Sequence, residues 1–98
     1  MVIGRFSVHC HPERAEEMAA AIAAVRAPSL AIPGVVHFDV ARSLVDLNTF
    51  VVTEVFEDRA ALDRQNAQPE VAQVIALVQS GALTADMEWT VWDANQID

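Results

Sequence analysis

Few side chains in this sequence have chemistry to offer, and most of them sit in apolar runs. His9, Cys10 and His11 stand together, His37 lies in a second apolar stretch, and Glu54 is the one charge inside Thr49–Phe56. On an extended segment His9 and His11 point the same way and Cys10 points the other. That is the beginning of a metal site, but Pro12 follows at once and no carboxylate stands at a recognisable ligand spacing. The expectation is no metal, with His9 a strand residue and His11 at a helix start. Ser7 and His9 with any acid would make a triad on paper. Nothing places the serine on a sharp turn or supplies an oxyanion hole, so a hydrolase is set aside. A carboxylate buried at Glu54 must be paired, hydrogen-bonded or protonated. It is either the ion-pair partner of an arginine such as Arg42 or Arg5, which is the expectation adopted, or a site acid with a raised pKa. Trp89 and Trp92 have opposite strand parity, so at most one faces a given cavity. No phosphate loop, dinucleotide fingerprint, nucleophile elbow or Cys-x-x-Cys pair is present.

Charge and composition narrow the partners. A net charge of −8, with arginine the only strong cation type, argues against nucleic acid and against anionic membrane surfaces. Highly anionic substrates are disfavoured too, unless arginines converge. At 98 residues, 1–98 is a single domain, because smaller pieces could not bury a core. A hydrophobic share of 53% is high for so small a body, which implies that some surface meets a partner subunit. No apolar run reaches membrane-spanning length and the N-terminus lacks signal-peptide order, so a soluble, cytoplasmic protein is expected. A lone Cys10 forms no internal disulfide and reads as a small buried strand residue.

The elements that must position these side chains follow from periodicity. Val2–His9 alternates as a first strand, with Val2, Phe6 and Val8 on one face. Pro12 and the acidic residues after it open a helix carrying Ala15, Met18, Ala19, Ile22 and Val25, and the stretch from Ala27 to Gly34 is expected to break it and turn the chain. Val35–Arg42 reads as a second strand with Val36, Phe38 and Val40 on one face. Thr49–Phe56 is a third strand that runs into a short helix capped by Asp58. Pro69 starts a further helix with Val71, Val74, Ile75 and Val78 at helical spacing, stopped by Gly81, and Met87–Trp92 alternates as a last strand. The order βαββα(α)β is the ferredoxin-like α+β plan with a four-stranded antiparallel sheet. Helices cover one face of such a sheet, and the other face needs a second cover.

The stretch Arg42-Ser43-Leu44-x-Asp46-x-Asn48-Thr49-Phe50-Val51-Val52-x-Glu54-x-Phe56-Glu57-Asp58-x-Ala60-Ala61-Leu62-Asp63, with Ile32-Pro33-Gly34 before it and Gln68-Pro69-Glu70-Val71 after it, resembles the antibiotic biosynthesis monooxygenase domain family. The resemblance runs over nearly the whole chain. It implies a homodimer whose open sheet faces meet to form a dimeric α+β barrel. It also implies a cofactor-independent monooxygenase that oxidises a small phenolic, hydroquinone or polycyclic substrate with O2. On that reading His37 is the catalytic base, Gln65 and Asn66 orient substrate oxygens, Trp89 walls the cavity, and Glu54 also belongs to the substrate-binding set. Gln65 stands where relatives often carry His or Trp, and an amide cannot act as a base near neutral pH. The haem-degrading branch's axial His falls at Ile75 and its helix Trp at Gln65, so haem cleavage is not expected. Two other functions stay open: an isomerase of a small carbonyl compound, which Arg5, Arg42 and Arg64 around one pocket would support, and a non-catalytic dimeric ligand-binding protein.

Overall fold

Alternate residues of Thr49–Phe56 are large and apolar at Phe50, Val52 and Phe56, with Glu54 the one break, and this pattern sets the sheet. The computed structural model describes residues 1–98, with β1 (Val2–His9), α1 (Ala15–Leu30), β2 (Val35–Arg42), β3 (Thr49–Phe56), α2 (Arg59–Asn66), α3 (Pro69–Gln79) and β4 (Glu88–Asp93). The strands pair antiparallel in the order β2-β3-β1-β4, the ferredoxin-like arrangement expected from the order of elements. No helix is long and apolar enough to cross a membrane.

Side chains of one parity on each strand meet the helices. Phe6, Val8, Phe38, Phe50 and Val52 pack there against Met18, Ile22 and Val25 of α1 and Val74 of α3. A second, smaller cluster of Val2, Phe56, Ala61 and Leu62 lies under α2. Burial of each large side chain contributes roughly 1.5–3 kcal/mol. Between the two clusters the same face of β3 carries Glu54, so a polar residue interrupts an otherwise continuous core.

Local signals explain the connections. Asp58 caps α2, its Oδ1 accepting from the Ala61 N–H at 2.9 Å. The β2–β3 turn is tied by Ser43 Oγ, which accepts from the Val45 and Asp46 N–H groups, and by Asp46, which accepts from the Asn48 N–H and the Thr49 hydroxyl. Those two bonds hold the exposed Asp46 carboxyl below its usual pKa, the Thr49 bond contributing most. Gly34 takes a φ of +90°, which turns the chain into β2.

The first helix ends at Leu30, inside the expected stretch, and two other expectations need correction. Pro28 falls in the last turn, so the one bond its missing N–H forfeits lies where a helix is already ending, and Ala31 and Ile32 bond back to the Pro28 and Ser29 carbonyls. The opening at Pro12 is a separate 3-10 turn, Pro12–Arg14, and His11 precedes it without a side-chain capping bond. Val36 does not share the buried side of Phe38: the ladder shifts between Val35 and His37, and Val36 is 48% exposed.

Candidate active site

Helix α1 packs on β2, and α3 packs on α1 rather than down onto the far half of the sheet. The result is a cavity of about 470 Å³ between sheet and helices. Phe6, Phe38, Trp89 and Met87 contribute from the sheet side, Ile22 and Val25 from α1, and Val71, Val74 and Ile75 from α3. The polar lining residues are Glu54, Gln65 and Asn66. Phe6 and Trp89 are cross-strand partners, stacked with ring centroids 5.6 Å apart. With Trp89 41% and Ile75 40% exposed and Asn66 also at the surface, these residues rim the mouth.

Glu54 stands in the middle of the sheet, paired with Phe38 on β2 and Gly4 on β1. It is only 3% exposed. Gln65, in the last turn of α2, is 1% exposed and its Nε2 donates to Glu54 Oε1 at 2.9 Å. An ionised carboxylate only accepts, which fixes the amide nitrogen as the atom facing it. Glu54 Oε2 and Gln65 Oε1 have no hydrogen-bond partner. Burial pushes the Glu54 pKa above its ordinary 4.5, and the bond from Gln65 offsets part of that rise. Gly4 makes the geometry possible: a Cβ there would lie 3.1 Å from Glu54 Oε2 and 3.7 Å from the Trp89 ring.

Glu54, Gln65, Asn66 and Trp89 therefore share one cavity. His37 does not join them. It neighbours Phe38 on β2, points to the opposite face by strand alternation and is exposed. The ion pair expected for Glu54 is absent as well: Arg42 Nη1 meets Glu16 Oε1 at 2.8 Å and its guanidinium lies over the Phe50 ring, while Arg5 is exposed on the other face. Arg64 donates to the Pro33 carbonyl, no arginine lines the cavity, and the arginine cluster that would support an isomerase of a small carbonyl compound is not formed. His9 bonds through Nδ1 to Thr49 Oγ1 at 2.8 Å, and the Ser7 hydroxyl donates to Glu88 rather than to His9. No three His, Cys, Asp or Glu residues cluster as metal ligands. Cys10 is buried beside β1, and desolvation raises its pKa.

Sequence reasoning missed Phe38, Phe6, Met87 and Gly4, although Phe6, Gly4 and Phe38 lie in register with Trp89 or Glu54 on the same face. The stripe of α3 was legible, but part of it faces a void rather than packed core.

Comparison with known proteins agrees with this architecture. The family model described as "Antibiotic biosynthesis monooxygenase" matches residues 1–77. The structure of Rv0793 from Mycobacterium tuberculosis is similar with a TM-score of 0.86 and 23% identity, over 97% of this chain and 95% of that one. A crystal structure of an antibiotic biosynthesis monooxygenase matches with a TM-score of 0.85 and 21% identity, over 98% and 100% of the two chains. PA3566 from Pseudomonas aeruginosa matches with a TM-score of 0.83 and 20% identity, over 97% and 94%. No curated protein sequence is significantly similar to the chain. Likeness at these identities concerns the fold, whereas the family model spans most of the sequence, including Gly4, Glu54 and Gln65. The chain belongs to the antibiotic biosynthesis monooxygenase family.

Proposed function

We propose that the protein is a cofactor-independent monooxygenase acting on a neutral phenolic or hydroquinone ring system. The observation that carries the reading is Glu54: it is the one titratable group lining an apolar cavity, and it keeps an unpartnered oxygen. The proton-accepting role expected of His37 is assigned to Glu54 instead.

On this reading the substrate supplies every electron. Glu54, ionised, takes the proton of a phenol whose pKa in water is about 10, and its own raised pKa narrows the gap the transfer must cross. The phenolate gives one electron to O2, and the resulting superoxide couples with the phenoxyl radical at a ring carbon that bears hydrogen, para in a simple phenol and ortho in a hydroquinone, forming a C–O bond. Glu54 returns its proton to the distal oxygen. Loss of the proton from that carbon then breaks the O–O bond, leaving a quinone carbonyl, and the departing hydroxide takes up that proton as water. The sum is phenol plus O2 to quinone plus water. Walls such as Phe38, Val25 and Val74 keep bulk water from the peroxide.

Oxygen uptake by the purified protein against hydroquinones and polycyclic phenols tests this. Uptake above autoxidation, one quinone per O2, and retention of that uptake by His37→Ala are expected. No uptake across the panel would leave a non-catalytic ligand-binding protein, the reading favoured by the lack of a second titratable group in the cavity.

We propose also that a second copy covers the open sheet face. No helix lies on it, and it presents Ile3, Val51 and Val55 half-buried and Trp92 47% exposed. A two-fold contact there is self-complementary. Sedimentation should give a dimer mass for the wild type and a monomer for Val55→Glu; a wild-type monomer at micromolar concentration would reject the interface.

A further inference from the structure

Glu54 Oε2 and Gln65 Oε1 are the two buried side-chain atoms that no hydrogen bond reaches. They belong to side chains already joined by the 2.9 Å bond from Gln65 Nε2 to Glu54 Oε1, so the two unmet acceptors sit on adjoining side chains of the cavity lining. On the alkaline side of Glu54's titration both are pure acceptors. An empty buried acceptor is a standing penalty, and neither of the other lining donors, the Trp89 indole N–H and the Asn66 amide, bonds to this pair. Asn66 sits at the exposed rim, and no cation lines the site to hold a charged ligand. A ligand that enters the cavity can supply the missing donors.

One hydroxyl carries one proton and can satisfy one of the two oxygens fully. We propose that the cavity selects neutral aromatic ligands with two neighbouring hydroxyls, one donating to Glu54 Oε2 and the other to Gln65 Oε1. The inference rests on the reading of this cavity as a phenol site. It divides the labour: the hydroxyl on Glu54 is the one that loses its proton, and the hydroxyl on Gln65 holds the ring. Gln65 thereby becomes a specificity-determining residue, a role that its amide can fill although it cannot act as a base.

The test is calorimetric titration under nitrogen, so that binding is measured without turnover. The ligands are 1,8- and 2,3-dihydroxynaphthalene, each against its mono-methyl ether, which has nearly the same bulk and one donor fewer. For at least one spacing the diol is expected to bind about tenfold tighter than its ether, the worth of one further hydrogen bond. In Gln65→Met and Gln65→Leu that ratio should fall towards one. Equal binding of diol and ether at both spacings in the wild type overturns the proposal, whatever the variants do. A diol advantage that survives in a folded Gln65 variant overturns it as well. Oxygen uptake in air is a separate readout: diol-selective binding without uptake defeats the oxygenase reading and leaves this inference standing, and uptake without diol preference does the reverse.

Discussion

Glu54→Gln is expected to lower oxygen uptake by about 10²–10⁴-fold, the usual range for loss of a positioned general base. The replacement keeps the shape, exchanges one acceptor oxygen for an NH2 donor, and removes the only lining group able to accept a proton. In the wild type kcat/KM should rise with pH as Glu54 ionises, with a midpoint above 4.5 because burial disfavours the charged form. Stability should move the other way. Below the ordinary value of 4.5 the carboxyl is protonated in both the folded and the unfolded chain. Between that value and the raised one, the folded chain holds a proton that the unfolded chain has released, so wild-type stability falls as pH climbs through this interval. The glutamine does not titrate. Its stability relative to wild type should therefore increase with pH over the same interval and then level off, as denaturant unfolding at a series of pH values would record. A variant that loses activity while its relative stability stays flat across pH would mean that burial does not raise the Glu54 pKa, and the strengthened base that the proposed chemistry uses would lose its physical basis.

Gly34→Ala should cost roughly 2–5 kcal/mol. Two costs add: about 1–2 kcal/mol for placing an L side chain in left-handed backbone, and about 1–3 kcal/mol for overpacking. The first arises from φ of +90° and the second from Ala61 Cβ, which a new Cβ would meet at 2.7 Å. Both partners are backbone-fixed, since Ala61 lies in the first turn of α2 and has no rotamer to move away. Arg64 adds to the crowding, with Nη2 3.2 Å from the new atom while donating to the Pro33 carbonyl. Because Gln65 is carried by α2, displacement of that helix should weaken ligand binding in the variant along with the fold. Urea unfolding followed by helix signal gives the stability change, and a loss below about 1 kcal/mol would show that α2 yields easily.

These effects trace what the sequence did and did not make legible. Strand and helix bounds could be read because local causes dominate them: alternation in Thr49–Phe56, the Asp58 cap, Pro69 at a helix start and Gly81 beyond its end. Face membership was legible by parity, which grouped Glu54 with Phe50, Val52 and Phe56. The function of that face was not. Parity does not say whether helices or a partner cover a face, so His37 was placed in the cavity although it lies opposite Phe38's side. The partner of Glu54 was misread for a similar reason. Electrostatics alone favours an arginine, but α2 brings Gln65 over the sheet, and the long-range packing of α2 is not written in any local pattern. Val36 failed for a third reason, a one-residue irregularity that alternation cannot anticipate.

The contact between Gly4 and Glu54 constrains how this site can change over time. Any side chain at position 4 presses on the carboxylate oxygen that faces it across the strands, and so alters the acid before it alters anything else. A shorter residue at position 54 removes that obstacle and leaves position 4 free to vary. A side chain at position 4 therefore asks the carboxylate to give by a few tenths of an ångström, and a smaller residue at position 54 relieves that demand, so tolerance at the two positions is coupled.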